Sequence, residues 1–271
     1  MKTFHCLALL VVAVALLVID VPVGVSATET DARIESSARD SYVFRKYLKD
    51  DAIAIESTDG VVTLTGTVAA EDHKSLAQET VESLPGVKSV DNQLEYKGEP
   101  VVENSDIWIG MKVKTSLLWH RNVSAATEVT TKDGIVTLQG EATSQAQKDL
   151  TTEYVKDVQG VKGVQNEMTV APPADGTTVG EKMDAVGESI DDASTTTLVK
   201  MTLLYHRSTS GFNTTVETNN GVVTLNGTAK NEAEKDLAAK YTQDVRGVKS
   251  VVNNIRVEPP VIKSKKRIEG C

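Results

Sequence analysis

DGVVTLTG occupies residues 59–66, and two close variants occur further along the chain, DGIVTLQG at 133–140 and NGVVTLNG at 220–227. Asp-Gly or Asn-Gly between alternating apolar residues is a strong short signal for a two-residue hairpin turn. Such a turn needs positive φ angles, which glycine adopts without steric cost. The pattern therefore predicts three β-hairpins, with tips at Gly60, Gly134 and Gly221.

Each hairpin motif closes on another glycine, at which we expect a bulge or a close approach of two backbones. These glycines are Gly66, Gly140 and Gly227. A second signature follows, and the distance between the two is the same in every copy. It is PGVKSVDN at 85–92, QGVKGVQN at 159–166 and RGVKSVVN at 246–253. Chance does not give one spacing three times, so the chain is predicted to use one domain three times.

Helices are predicted on both sides of each hairpin. Between the two signatures, apolar residues recur every four positions, as at Leu150 and Tyr154, and a glycine of the second signature is expected to end this helix. Upstream, a similar stripe starts at Ile109 in copy two, and a shorter one surrounds Val43 in copy one. The residues predicted to cap the upstream helices are Asp106 and Asp192.

The last strand of each copy carries an asparagine on its apolar face. A buried amide is normally satisfied by backbone groups, and we expect that role in preference to a chemical one. The three residues are Asn92, Asn166 and Asn253.

The element order is helix, strand, strand, helix, strand, which predicts an α+β protein. It would consist of three tandem αββαβ domains, each with two helices packed on a three-stranded mixed sheet. Residues 172–189 are predicted to form a flexible linker and 259–271 a basic tail. Because that linker is long, we expect copies one and two to pair and copy three to be attached loosely. The predicted domains are 34–97, 104–171 and 190–258.

The N-terminus is typical of an export signal. Lys2 precedes an unbroken apolar run from Leu7 to Ile19, and Val25-Ser26-Ala27 suits signal peptidase. We expect residues 1–27 to be a signal peptide cleaved after Ala27; the alternative is an uncleaved anchor in the inner membrane. Cleavage would leave Cys271 as the remaining cysteine, either a free thiol or one partner in an intermolecular disulfide.

Composition and motifs argue against several functions. A net charge of -9 is poorly suited to nucleic acid, whose phosphates need neutralising. No nucleophile, phosphate-binding or dinucleotide motif occurs, and His73, His120 and His206 lack the spacing of metal ligands. We expect no enzyme activity, no cofactor and no metal. Arg121 and Arg207 each follow a histidine at the end of an upstream helix, where positive charge complements the helix dipole.

The two signatures with a helix between them resemble the BON domain family (bacterial OsmY and nodulation), in all three copies. The resemblance implies the αββαβ fold and a bacterial envelope protein, typically periplasmic. It also implies phospholipid binding and tolerance of osmotic stress. The alternative is a soluble periplasmic chaperone-like or protein-interaction module without direct lipid binding. Other envelope proteins are possible partners, and the oligomeric state stays open.

One surface feature distinguishes copy two. Its upstream helix opens with DIWIGMKVK at 106–114, and a tryptophan near lysines at a helix start suits a lipid headgroup interface. The segment is similar to that of a two-domain outer-membrane lipoprotein of the family, whose tryptophan contacts anionic phospholipid. We therefore expect an anionic phospholipid surface to contact Trp108, Lys112 and Lys114. The alternative is that Trp108 packs against copy one or a neighbouring helix.

Overall fold

The structure is a computed structural model that describes residues 27–98, 101–123, 127–171, 189–209 and 213–258. We refer to 27–98 as domain one, to the described part of 101–171 as domain two, and to the described part of 189–258 as domain three. All but the last residue of the predicted signal peptide, nearly all of the predicted linker and the whole predicted basic tail lie outside the described residues.

The three domains contain the following elements. Domain one has helices α1 (Ala27–Asp40), α2 (Tyr42–Lys46) and α3 (Asp72–Glu82) and strands β1 (Ala52–Thr58), β2 (Val61–Val68) and β3 (Ser89–Tyr96). Domain two has α4 (Asp106–Trp119), α5 (Gln145–Asp157), β4 (Glu128–Lys132), β5 (Ile135–Gln139), β6 (Glu141–Ala142), β7 (Gly163–Asn166) and β8 (Thr169–Val170). Domain three has α6 (Asp192–Tyr205), α7 (Glu232–Asp244), β9 (Asn213–Asn219), β10 (Val222–Ala229) and β11 (Ser250–Val257).

Each domain is built on the same mixed sheet. The hairpin strands pair antiparallel, and the last strand pairs parallel with the second, which is therefore central. In domain two the sheet is divided, into β4-β5-β7 and the short pair β6-β8. The predicted α+β class and αββαβ order are confirmed, as are the hairpin tips: Asp59 and Gly60 have φ angles of 54° and 81°.

The central strand supplies the core of each domain. Val62 and Leu64 are fully buried under the helices of domain one, and the same positions are buried in the other two domains. Gly66 then closes the strand with φ 116°, where a Cβ atom would lie 1.9 Å from the carbonyl oxygen of Ala52. The predicted close backbone approach is confirmed, and it leaves no room for a larger residue at this position.

The recurring asparagine ties the last strand to the preceding helix. Asn92 donates from Nδ2 to the carbonyl oxygen of Lys74 at 2.9 Å and accepts from the Leu94 amide at 3.2 Å. Asn166 and Asn253 make the equivalent bonds. The predicted structural role of this half-buried amide is therefore confirmed.

The aspartates predicted as N-caps have another role. Ser105 and Asp191 cap α4 and α6. Asp106, in the first turn, accepts instead from the backbone amides of Asp133 and Gly134 at 2.7 and 2.8 Å. Its carboxylate can do so because the hairpin tip lies beside the helix start. Asp192 binds the third hairpin tip in the same way.

We name this contact, in which one carboxylate accepts from two backbone amides of a hairpin tip, the carboxylate clamp. Domain one makes it with Asp31, which accepts from the amides of Asp59 and Gly60. Hydrogen bonds from Ser57 and from these amides lower the pKa of Asp31. The position of Asp31 also shows that the upstream helix of domain one was predicted in the wrong segment. The upstream helix of domain one is α1, which begins at Ala27, whereas the segment around Val43 forms only the five-residue α2.

The glycines of the second signature lie beyond the helix ends, contrary to prediction. In domain two α5 ends at Asp157, and the amide of Val161 bonds the carbonyl oxygen of Val158. Gly160 is the third residue of that turn, with φ 89°. A turn of this kind requires positive φ at its third residue, which explains the glycine.

Domain three is docked against both other domains, so the expectation that copy three is attached loosely is wrong. Helix α6 packs on α3 of domain one and on α4 of domain two. Domains one and three share one apolar core, to which Leu76 and Leu198 both belong. Trp119 of domain two also inserts into that core, whereas the rest of the domain two core is separate.

Candidate functional site

The start of α4 holds Trp108 in a half-buried position. Ser105 accepts a hydrogen bond from the Trp108 amide at 3.3 Å and so fixes the first turn. The indole packs at the edge of the domain two core, where a Cβ atom on Gly160 would lie 3.2 Å from its Cζ3 atom. Trp108 is therefore partly a packing residue, and it contacts its own domain rather than copy one.

Lys112 lies on the same side of α4, one turn further on. Its Nζ atom is 3.8 Å from the centroid of the Trp108 ring and 4.7 Å from that of Tyr205, a residue of domain three. It also donates to Oε1 of Gln159 at 3.2 Å. Burial lowers the pKa of Lys112 to about 8. This ammonium group is therefore held by cation–π contacts and one hydrogen bond.

Lys114 is exposed and does not join Trp108 and Lys112. Residues two apart on a helix do not share a face, so Lys114 lies on the opposite side from Lys112. The structure thus brings together two of the three predicted lipid-contact residues.

Two exposed apolar residues that no sequence pattern singled out lie at or just before the start of α4. Ile107 is 73% exposed and Val102 is 71% exposed. Ile107 falls outside the stripe that starts at Ile109, and this mismatch is the signal that could have revealed it. We use the name α4 entry surface for the exposed or half-buried residues at and around the start of α4, which are Val102, Ile107, Trp108 and Lys112.

A second arrangement lies between domains two and three. Arg121 donates to the carbonyl oxygens of Val245 and Val248, at the end of the last helix of domain three. Arg207 reaches back to the carbonyl oxygen of Val161 in domain two at 2.9 Å. Each arginine therefore binds carbonyl groups after a helix of the other domain, not of its own helix as predicted.

The histidines beside these arginines are fully buried in the same contact. His120 and His206 face each other, enclosed by two aromatic rings and two carboxylates. The enclosing groups come from α5 and α7 and are Tyr154, Asp157, Tyr241 and Asp244. Both histidines were predicted at helix ends, but no sequence pattern indicates that they meet.

An open groove of about 580 Å³ runs between α5 and α7 at the rim of this contact. Its apolar lining includes Leu150 and Leu237, and Lys156 and Lys240 lie at its edge. No group of three or more histidine, cysteine, aspartate or glutamate side chains within the described ranges is placed to hold a metal ion. Among those same residues, no helix is both long and apolar enough to cross a bilayer.

Comparison with protein families accounts for the threefold repeat. The BON domain matches at residues 30–98, 105–172 and 191–259, which together cover most of the chain. The chain belongs to the BON domain family. The Osmotically-inducible protein Y of Escherichia coli (strain K12) is 32% identical over 207 residues, which cover 76% of this chain and 94% of that protein.

Solved structures give weaker likenesses. CdsD, a structural protein of the type III secretion system of Chlamydia trachomatis, aligns at 18% identity over 88% of this chain and 97% of its own, with a TM-score of 0.21. A second structure, of the C-terminal domain of CdsD, aligns at 17% identity over 83% and 96%, with a TM-score of 0.22. TM-scores this low carry no argument about this protein.

Proposed function

We propose that this chain is a non-enzymatic, exported envelope protein that supports envelope integrity under osmotic stress by weak binding to anionic phospholipid surfaces. Its membership of the BON family and its similarity to a protein named as osmotically inducible support the stress role. The apolar run from Leu7 to Ile19 supports export to the periplasm, with cleavage after Ala27.

The exposure of the α4 entry surface carries the proposal of lipid binding. Ile107 and Val102 offer exposed apolar side chains to a bilayer, and Trp108 adds a half-buried amphipathic ring near the start of the same helix. Lys112 adds local attraction of about 1 kcal/mol near an anionic surface. The net charge of -9 opposes association, so binding is expected to be weak and to fall as salt increases.

Vesicle co-sedimentation tests the proposal. Ile107→Ser should greatly reduce co-sedimentation with phosphatidylglycerol vesicles without changing stability, because Ile107 is exposed. Trp108→Ala should reduce both binding and stability, since its ring is half-buried. Val252→Ser removes an exposed apolar residue of domain three and is the matched control. Equal binding by wild type, Ile107→Ser and Val252→Ser would contradict the assignment of the site.

The groove between α5 and α7 supports a second candidate, a chaperone-like module that binds apolar segments of other envelope proteins. Leu150 and Tyr154 face Leu237 and Tyr241 across it. In that case vesicles would not bind, and the protein would slow aggregation of an unfolded client. Leu150→Ser together with Leu237→Ser should remove that effect, whereas Ile107→Ser should not.

A further inference from the structure

Domains two and three present the same two segments to each other. The end of α4 meets the turn after α7, and the end of α6 meets the turn after α5. His120 bridges Val245, and His206 bridges Val158, both in antiparallel fashion. The contact is therefore approximately two-fold symmetric, with residues from one copy of the domain repeated by those of the other. We name it the two–three clasp.

The two histidines meet at the centre of the clasp. Their Nε2 atoms are 3.3 Å apart, and neither side chain has exposed surface. His120 Nδ1 lies 3.3 Å from Oδ2 of Asp244, and His206 Nδ1 lies 3.6 Å from Oδ2 of Asp157. Each imidazole thus has a carboxylate on one side and the other imidazole on the other.

Further polar contacts surround the two carboxylates. Tyr241 donates from its hydroxyl to Asp157 at 2.8 Å, and Tyr154 faces Asp244. Asn122 binds Asp244, and Ser208 donates to Asp157 at 2.6 Å.

Three further side chains approach the pair. Arg207 Nε lies 4.0 Å from Asp157, and Arg121 binds carbonyl groups beyond α7. Ser116 Oγ lies 3.4 Å from Nε2 of His206.

This geometry limits how many protons the pair can hold. A hydrogen bond between the two Nε2 atoms needs one N–H donor and one lone pair. If both Nε2 atoms carried protons, two N–H groups would point at each other across 3.3 Å. Ser116 could accept only the proton of His206, leaving that of His120 buried without an acceptor. The clasp is therefore compatible with one Nε2 proton and not with two.

We propose that the His120–His206 pair makes the two–three clasp acid-labile, so that domain two detaches from domain three as the second Nε2 proton is taken up. A detached histidine is exposed and titrates near pH 6.5. In the clasp, burial and the neighbouring His120 lower the pKa of His206 to about 3.

The direction of the pH effect follows from proton binding. Between about pH 6.5 and pH 3 the detached state holds more protons than the docked state, so acid favours detachment. Docking is strongest above about pH 6.5 and weakens by up to about tenfold for each pH unit below it.

Trp119 is a built-in reporter of this event. It lies next to His120, is fully buried, and its ring centroid is 5.3 Å from that of Tyr205 in domain three. The other tryptophan is Trp108, so a Trp108→Phe variant leaves Trp119 as the single tryptophan. Detachment would expose Trp119 to water, which shifts its emission to longer wavelength and increases quenching by acrylamide.

The experiment follows Trp119 emission and acrylamide quenching from pH 8 to pH 4 in the full chain carrying Trp108→Phe. We expect a reversible red shift and a several-fold rise in quenching below about pH 6, with far-UV circular dichroism unchanged. Adding His206→Gln should flatten the transition, because one titrating imidazole is removed. Adding His73→Gln, which alters a histidine of domain one paired with Asp51, should leave it intact.

Three results would overturn the proposal. Trp119 could stay buried down to pH 4, or the transition could persist unchanged in the His206→Gln variant, which would assign it to the carboxylates. If His206→Gln does not fold, nitrogen NMR of labelled histidines in the otherwise unaltered chain replaces it. In that experiment, two fully protonated imidazoles with Trp119 still buried would exclude the mechanism. Protonation of both Nε2 atoms together with the red shift of Trp119 would support it.

Discussion

Domain three meets its two neighbours through unlike surfaces. Against domain one it uses a continuous apolar core, with a few polar contacts such as that from the Tyr42 amide to Asp191 at 2.7 Å. Against domain two it uses the two–three clasp, with backbone hydrogen bonds, paired rings and buried carboxylates. An apolar contact holds at any pH, whereas a contact built on histidines and aspartates is specific in register and sensitive to protons.

The difference can be traced to the two equivalent helices. α6 carries Leu198 and Met201 where α4 carries Lys112 and Thr115, and both apolar residues are buried. α6 is consequently buried on nearly all sides, as expected for a helix that lies inside a core shared by two domains. α4 keeps a polar face, on which Thr115 donates to Asp72 of domain one at 3.0 Å.

The apolar contact should be broken most strongly by Leu198→Ala. Leu198 is fully buried, and truncating such a residue costs about 2–5 kcal/mol of unfolding free energy. Urea unfolding should show this loss equally at pH 5.5 and pH 7.5. Leu204→Ala, at a residue of the same helix that is 52% exposed, is the control and should cost less than about 1 kcal/mol. Equal effects of the two variants would mean that α6 does not pack into the core shared by domains one and three.

The clasp should be weakened less, by Tyr241→Phe. This change removes the hydroxyl that donates to Asp157, and a hydrogen bond to a charged group contributes about 1.5–3 kcal/mol. Because the clasp is nearly symmetric, Tyr154→Phe should cost a similar amount. Urea unfolding followed by Trp119 emission measures both. A large cost for one variant and none for the other would show that the symmetry is only geometric.

The smallest effect is expected within a domain, at the carboxylate clamp. Asp106→Ala removes the acceptor for two amides of a partly exposed hairpin tip, which should cost about 1 kcal/mol. Asp236→Ala, at an exposed aspartate of α7, should change stability by less than about 0.5 kcal/mol. Faster amide exchange at Asp133 and Gly134 would locate the loss, and unchanged exchange there would contradict the clamp.

The fold inside each domain could be predicted because local rules determine it. The Asp-Gly turn, the alternating strands and the recurring Asn92 all act over short stretches that occur three times. The contacts between domains could not be predicted, because they depend on side chains that are common at the ends of helices and form no recognisable motif. His120 and His206 lie 86 residues apart in the chain, and no local pattern indicates that they meet. The sequence shows that α6 has Leu198 where α4 has Lys112, but the effect of this difference on packing depends on the neighbouring domain.

Amide hydrogen exchange at the two–three clasp tests the central claim, that domain three is docked on domain two. Four backbone amides donate across this contact: those of Arg121, Gln159, Arg207 and Arg246, to Asp244, Tyr205, Asp157 and Trp119. At pH 7.5 all four should be protected together, and the Tyr241→Phe variant should reduce their protection by a common factor. Exchange of these amides at the rate of an unstructured peptide, with the strands of both domains still protected, would show that the domains are not docked.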